Sequence, residues 1–580
     1  MSVTTGTFPG VRIVDMPDLG VVNDTSSVVG ERAGSGRFAA TALRDYTRTG
    51  MAAYVPTIAA LRALASGAAA VFVQGYYAAG DGGGGFYNLG AAGTDNGGSV
   101  IVSANGTYLL DTNGAPVSVK QFGAKGDGTA PDSAAINAAS AQGGIVYFPP
   151  GTYMADATCV MSTGVTWQGA GEGVTTIKAM NGTTMDVVQT SQFATLTGGN
   201  TATGPYQWAI KQMTIDGNKA SRSAGRCAAF YGYDFVIEDV AFANAHGDCV
   251  YSEWATDPGV PVAAGGNSME SHWTRVKTFG SAAGNGMTFH GPHDSVFVDY
   301  LTFINGAIGA VWSGAATYSA AASIIASAHA YGNTGDGFVI QCEIYATNLE
   351  SESNQGAGIV VSATGAGGEL QATNVNAWAN HGHGFYTETG GSVVTNLVSS
   401  SSVTGAGVYV NGPGNVFANV SAVSNANTGV YIAATGGETQ MSNVQVTQNL
   451  GSGLVINAND CAVTTVVAQF NNPAGIELVS GVLGTVLNGK IINSVTGALL
   501  RTLGGANRID LQIFTAAGQT AYTGTVGNND VCLNCTGASS TSLRALSDTG
   551  VSASGSNTTT AVLPLEMNGT VYYVLARTTP

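Results

Sequence analysis

The groups in this chain that can move protons include 36 carboxylates and 7 histidines. A few of them recur at spacings that matter. Asp248 and Glu253 stand close together, and His290 follows after one longer interval. Asp336 and Glu343 flank one short apolar run, and Glu350 and Glu352 occupy one face of another, with Trp378 further on. Cleaving a glycosidic bond calls for such groups. One carboxyl protonates the leaving oxygen and another acts as base or nucleophile, about 5 Å away for retention and roughly 6.5–9.5 Å for inversion. Eliminative cleavage instead needs a base beside a uronate carboxylate and a cation to neutralise it. Arg222, Arg226, Arg275 and Lys277 are the basic residues closest to the Asp248–Glu253 stretch.

These residues can meet only if the backbone returns to the same place every twenty-odd positions, and the sequence says that it does. The unit reads GNTGDGFVIQ at 332–341, ANHGHGFYTE at 379–388 and SVTGAGVYVN at 402–411. The glycine before each apolar alternation is Gly337, Gly358, Gly384, Gly407, Gly429, Gly453 and Gly475, a period of about 22 residues. Gly309, Gly286, Cys249 and Cys227 fill the same slot upstream, which gives eleven units with one long interval after Cys249. Each unit must be one supersecondary element stacked on its neighbours. Four- or five-residue strands with alternating apolar positions make each unit a coil of three short strands. Stacked coils then form three parallel sheets, about 4.8 Å per coil. Two asparagine series run in register, Asn348, Asn374, Asn396, Asn419 and Asn443, and the turn set Asn333, Asn354, Asn380, Asn425, Asn449 and Asn471. Asparagine tolerates left-handed backbone, and its amide can bond to the next asparagine in a stack.

With Val250, Phe338, Phe385 and Val408 inward, alternation turns Tyr251, Glu253, Thr288, His290, Gln341, Tyr386, Glu388, Tyr409 and Tyr431 outward. The first-choice catalytic coil therefore holds Asp248, Glu253 and His290, beside an inserted loop that begins at Trp254 and carries Asp257 and Glu270. Asp336 with Glu343, near Tyr318, is the second choice. Glu350 and Glu352 with Trp378 are the third, on another sheet, and with Tyr251, Trp254, Tyr386 and Glu388 they are the candidate sugar contacts. The plainer readings stand beside these. An outward carboxylate on such a stack is commonly just solvated, a turn aspartate commonly caps backbone N–H groups, and the Tyr386–Tyr409–Tyr431 ladder stabilises the sheet whether or not sugar lies on it. His290 and His293 have structural readings too.

The stretch VKQFGAKGDG at 119–128, DSAAIN at 132–137 and VYFPPGTY at 146–153 resembles the opening of pectate-lyase-like right-handed parallel β-helices, as does IDGN at 215–218. The likeness covers roughly residues 116–510. It implies a short helix from Asp132 that caps the open end of the stack and a groove along the outer face of one sheet. It also implies an acidic catalytic residue at the Asp248 slot, although the paired Asp-Asp of polygalacturonase-like hydrolases is Gly-Asp-Cys here. His383, in Gly-His-Gly, is similar to that family's histidine motif but lies five coils away. DMPDLG at 15–20 and VGERAGSGRF at 29–38 resemble a particle-anchoring segment of bacteriophage tail proteins. PTIAALRAL at 56–64, VFVQGYY at 71–77 and GDGGGGF at 80–86 resemble the neck module of tailspikes. The resemblance implies a homotrimer mounted on the phage tail or baseplate through its N-terminus, within the virion and acting at the host cell surface. The expected organisation is an anchor at 1–50, a neck at 51–115, an all-β right-handed parallel β-helix at 116–515 and a C-terminal β cap or trimerisation region at 516–580. AVLPLEMNGTVYYV at 561–574 reads as a hairpin around Asn568-Gly569.

Composition narrows the partners. Only 10% of residues are charged while 44% are hydrophobic, so the chain is a folded one and not disordered. A net charge of −16 argues against nucleic acid and anionic membrane. No Lys or Arg occurs between residues 278 and 489, a surface suited to hydroxyl-rich sugar. Seven scattered cysteines do not form a disulfide framework. Cys532-x-x-Cys535 lacks a second pair or nearby His, so no metal and no cofactor is expected. Residues 63–80 are too short and too rich in Gly and Ala to span a bilayer, and MSVTTGTFPG has no signal-peptide pattern. The leading expectation is a tailspike that binds a bacterial surface polysaccharide and cleaves it by endoglycosidic hydrolysis. A lyase is the runner-up, and a receptor-binding spike without catalysis is the third reading.

Overall fold

The computed structural model describes residues 27–29, 37–39, 53–65, 68–193, 205–253, 271–290, 295–313, 323–364, 367–500, 507–514, 520–524, 531–536, 561–567 and 570–576. The coils stack as read: this is an all-β, right-handed parallel β-helix of about 14 turns. Hydrogen bonding among the described residues gives two long sheets rather than three, one of 15 short strands and one of 23. The reason is local. In many coils two strands run on into one another through a single left-handed residue. Glu343–Glu352 is one such strand, turned at Asn348 with φ 55°. Asn374, Asn396, Asn419 and Asn443 do the same at φ between 56° and 58°, and each donates its side-chain amide to the asparagine one coil below.

The turn asparagines work differently. They are not left-handed. Their buried amides form a ladder in which Asn333 donates to Asn354 at 2.8 Å and Asn354 to Asn380 at 2.9 Å. The ladder breaks at Ser402 and resumes from Asn425 through Asn449 to Asn471. The repeated glycines also owe their place to crowding rather than to φ. A Cβ on Gly337 would lie 2.5 Å from the Gly358 carbonyl oxygen and 2.3 Å from the Ser351 hydroxyl. The same contact recurs from Gly384 to the Gly407 carbonyl, so adjacent coils approach too closely for any side chain.

The core is one continuous apolar column from Val119 to Ile513. Its bulkiest part lies beneath the coils that carry Glu253 and His290. Trp208 stacks on Phe235 at 4.2 Å, Trp273 on Phe297 at 5.7 Å, and Phe289 packs edge-on to both Trp273 and Phe297. Cys227 and Cys249 stack on successive coils as buried free thiols. The capping helix is Ser133–Ser140, with Ile136 and Ala139 buried over the end of the stack. Asp132 precedes it, and its buried carboxylate accepts from the N–H groups of Lys125, Gly126 and Met154.

Ahead of the β-helix, residues 53–111 form a five-stranded sheet with its own small core around Leu61, Val71, Tyr87 and Tyr108. It is tied to the first coil by the Tyr77 hydroxyl donating to Gly123 O and by the Gln121 amide donating to Gly84 O. Strands Ala561–Met567 and Thr570–Ala576 form the expected antiparallel hairpin, Met567 opposite Thr570. The anchoring motif at 15–20 and most of that at 29–38 lie outside the described residues, as do Trp254, Asp257, Glu270, His293 and Tyr318.

Candidate functional site

Three parallel strands of the short-strand sheet, Ala228–Tyr231, Val250–Glu253 and Met287–His290, carry the tightest group of functional side chains. Their register sets Glu253 directly against His290 on the next coil. Alternation buries Val250, Ser252, Met287 and Phe289 and turns Tyr251, Glu253, Thr288 and His290 outward. Glu253 Oε1 lies 2.6 Å from His290 Nδ1, and the Tyr251 hydroxyl donates to Glu253 Oε2 at 2.5 Å. The carboxylate is thus shared between an imidazole and a phenol. The bond to Glu253 raises the His290 pKa above its ordinary value against the opposing effect of burial. Burial, reinforced by the Glu253 charge, pushes the Tyr251 phenol well up and keeps it protonated.

A second layer fixes the phenol. The Arg226 guanidinium lies over the Tyr251 ring at 4.8 Å and over Phe193 at 5.1 Å. Asp186 holds Arg226 from behind, accepting from Nε at 3.1 Å and from Nη2 at 2.9 Å. That clamp leaves the Nη1 edge outside the pair. Burial works upward on the Asp186 carboxyl, but the bonds from Arg226 and Gln189 outweigh it and hold it below the usual range. Asp186 was missed from sequence. Its signal was there, because it occupies the same slot ahead of Val188 that Asp248 occupies ahead of Val250. The backward extension of the repeat stopped one coil short of it.

Asp248 does not join the pair. Its carboxylate accepts from the Asn285 N–H and from the Thr288 hydroxyl, both at 2.8 Å. That is the turn-capping role weighed for it. Thr288 stands opposite Tyr251, so the Asp248 charge still acts on that phenol from the near end of the strand. Asp336 and Glu343 also do not meet. The strand Phe338–Gln341 runs between them, Asp336 accepting from the Ala357 N–H at 2.6 Å and Glu343 from the Tyr345 hydroxyl at 2.7 Å. Asp336 instead feels Glu388: burial first, then that charge, raises its pKa. Glu388 moves the other way. Burial works upward on it, but the Ala363 N–H and the Ser362 and Tyr386 hydroxyls hold it below the ordinary range.

Above this the tyrosine ladder stands as expected. Tyr386 meets Tyr409 at 5.4 Å and Tyr409 stacks on Tyr431 at 5.1 Å and 11°. His383 packs against Tyr386 and Tyr409, and its Nδ1 accepts from the Ala406 N–H. Between this ladder and Tyr251, the same outward column is lined by Val311, Val339 and Val360, nearly closed to solvent. Glu350 and Glu352 lie on the larger sheet, Glu350 beside His329 and Glu352 between Tyr331 and Trp378.

Two family models match the chain. Residues 116–332 match one described as rhamnogalacturonase A/epimerase, pectate lyase-like, and residues 54–113 match the phage tail protein small four-stranded beta-sheet domain. Both likenesses drawn from the sequence motifs are therefore present in the chain. Among curated proteins it is similar to mannuronan C5-epimerase AlgE3 of Azotobacter vinelandii. That match is 36% identical over 127 residues, 20% of this chain and 7% of the relative. It is also similar to alginate lyase 7 of the same organism, 37% identical over 128 residues, 20% and 14% of the two chains. The matches span less than a quarter of the length of these relatives. A solved structure with a similar course is the bacteriophage phi29 gene product 12 N-terminal fragment. It is 15% identical, covers 73% of this chain and 71% of that one, and has a TM-score of 0.43.

Proposed function

We propose that this protein is a tail component of a bacteriophage that cleaves a uronate-containing bacterial surface polysaccharide by β-elimination at the Glu253–His290 site. The phage-tail match at 54–113 and the pectate-lyase-like match at 116–332 support the setting and the polymer. The relatives named as an epimerase and a lyase support chemistry at the sugar carbon that bears a carboxylate. One observation carries the choice of reaction. Glu253 bonds both the His290 imidazole and the Tyr251 phenol, so a base and an acid are held on one carboxylate.

In this reading Glu253 fixes His290 with Nδ1 as donor, so Nε2 is the free base. Nε2 takes the proton next to the uronate carboxylate. The electron pair left behind forms the ring double bond, and the C–O bond to the next sugar breaks. The Tyr251 hydroxyl protonates the departing oxygen, and the proton held on His290 passes through water to the phenolate, which restores both groups. Arg226 sits at the phenol with its Nη1 edge unclamped, where it offsets the negative charge that gathers on the uronate. Tyr386, Tyr409 and Tyr431 lie five to seven coils along, about 24–34 Å, as a platform for the rest of the polymer.

Endoglycosidic hydrolysis by a pair of carboxylates is the second reading. Residues 1–50 serve as virion anchor, 51–115 as neck, 116–515 as the β-helix and 516–580 as the C-terminal cap in a homotrimer. Incubation of the purified protein with host polysaccharide separates the readings. The ultraviolet band of an unsaturated uronate in the products is the expected result. New reducing ends without that band establish hydrolysis and overturn elimination, and unshortened polymer means binding alone.

A further inference from the structure

We propose that His329, Glu350 and Glu352 bind a divalent transition-metal ion that ties two successive coils together on the larger sheet. His329 comes from strand Ala328–Tyr331 and the two glutamates from the next coil's Glu343–Glu352. Register puts His329 beside Glu350, and Glu352 follows two residues on along the same outward face. One ligand atom from each residue lies within 4.8 Å of the other two.

The second observation is an orphaned atom. His329 Nε2 is shut off from solvent and makes no hydrogen bond, although it points at Glu352 Oε2 from 3.6 Å. A ring nitrogen and a carboxylate oxygen 3.6 Å apart, too far to bond one another, are an arrangement that a cation between them completes. Ligand atoms about 2.1 Å from a tetrahedral Zn²⁺ are about 3.4 Å from one another. The His329–Glu352 pair already stands near that separation, and Glu350, the exposed member, has only to swing inward. The imidazole is braced for this by the Tyr331 ring, 5.1 Å from its own.

Charge points the same way. No Lys or Arg occurs between residues 278 and 489, so nothing in these coils offsets the two carboxylates. The cation in the same outward column, Lys277, is two coils away and bound to Glu172 at 2.9 Å. An imidazole with two carboxylates suits Zn²⁺ or Mn²⁺. Ca²⁺ and Mg²⁺ take their ligands as oxygens and have no use for the imidazole. The histidine and the glutamate pair lie on successive coils, with Glu350 21 residues after His329 in the chain.

The test uses the full chain, stripped with chelator and titrated calorimetrically with Zn²⁺ and separately with Ca²⁺. The expected result is saturable Zn²⁺ binding that loses one equivalent per chain in His329→Ala and weakens at least tenfold in Glu350→Gln. Ca²⁺ binds at least a hundredfold more weakly. Zn²⁺ raises the unfolding midpoint of the parent protein by several degrees and leaves that of His329→Ala unmoved. Because Glu350 is exposed, Glu350→Gln reads the site without disturbing the fold. Failure of the parent protein to bind Zn²⁺, or an unchanged stoichiometry in His329→Ala together with unchanged affinity in Glu350→Gln, overturns the proposal.

Discussion

Glu253 and His290 are 37 residues apart in the chain, yet their side chains meet at 2.6 Å because strand register carries them to the same depth on adjacent coils. Glu253 is the more enclosed partner, 13% exposed against 31% for the imidazole. It therefore orients and charges, while the more open His290 is free to meet substrate. Replacing Glu253 by Gln keeps the shape and removes the charge that holds the imidazole. Cleavage falls at least a hundredfold, a cost of about 2.7 kcal/mol in the barrier. Binding of the intact polysaccharide stays within a factor of two, and the unfolding midpoint stays within a few degrees. Full activity in Glu253→Gln removes this coil from consideration.

The same pair sets a pH dependence. The Glu253 bond raises the folded-state pKa of His290 above its ordinary 6.5. A base must be unprotonated, so cleavage rises with pH through that raised value, and the acid limb of kcat/KM lies above 6.5. In Glu253→Gln the residual activity has its acid limb displaced to lower pH. Stability runs the opposite way. The favourable contribution of protonated His290 is fully present below its unfolded value and fades as pH climbs through the folded one. A kcat/KM profile measured for both proteins decides it, and coincident acid limbs detach Glu253 from the titration of His290.

The tyrosine ladder predicts a change in binding without a change in chemistry. Tyr409 stacks on Tyr431, meets Tyr386 edge-on and contacts His383, so one face is already committed to the sheet. Removing its ring costs about 1 kcal/mol of contact with a sugar, about fivefold in Kd. Tyr409→Ala weakens polysaccharide binding by that factor while kcat at saturating substrate is unchanged. Unaltered affinity assigns the ladder to sheet stability alone.

How much of this was legible depended on whether the period carried the information. The inward and outward assignment of Tyr251, Glu253, Thr288 and His290 followed from alternation alone, because a period of two leaves no freedom once Val250 is placed in the core. The adjacency of Glu253 and His290 followed from the coil count in spite of the inserted residues. What alternation could not supply was direction. Asp248 precedes its strand and Glu253 ends it, and Asp336 and Glu343 likewise flank one strand, so neither pair shares a hydrogen-bond partner. Arg226 was visible as a turn residue, but its stacking on Tyr251 depends on Asp186, three coils' worth of sequence away from Glu253. The joining of two strands into one sheet was hidden too. The backbone turns at Asn348 without leaving the ladder, and the sequence shows the asparagine but not the continuity of the hydrogen bonds on either side.

The buried asparagine ladder makes the firmest stability prediction. Asn354 is wholly enclosed, and its one amide serves two coils. Its oxygen accepts from the Asn333 N–H at 3.0 Å and from the Asn333 side-chain amide at 2.8 Å, while its Nδ2 donates to Asn380 and to the Ser351 hydroxyl. Alanine at this position leaves the two Asn333 donors without their acceptor in a turn too tight to admit a substitute side chain. At about 1–3 kcal/mol for each stranded group, Asn354→Ala loses about 4 kcal/mol locally. Aspartate is no remedy, since it retains the acceptors but sets a carboxylate against the Asn380 oxygen in place of a donor. Because each coil contacts chiefly its neighbours, the damage should stay near coils 333–380 rather than spread along the stack. Amide hydrogen exchange of Asn354→Ala is therefore expected to quicken there by about a hundredfold or more while the Trp273 and Phe297 coils keep their protection. Uniformly faster exchange along the whole β-helix means that the ladder stabilises the stack as a single cooperative unit, and unchanged exchange means that the asparagines contribute little to holding the coils together.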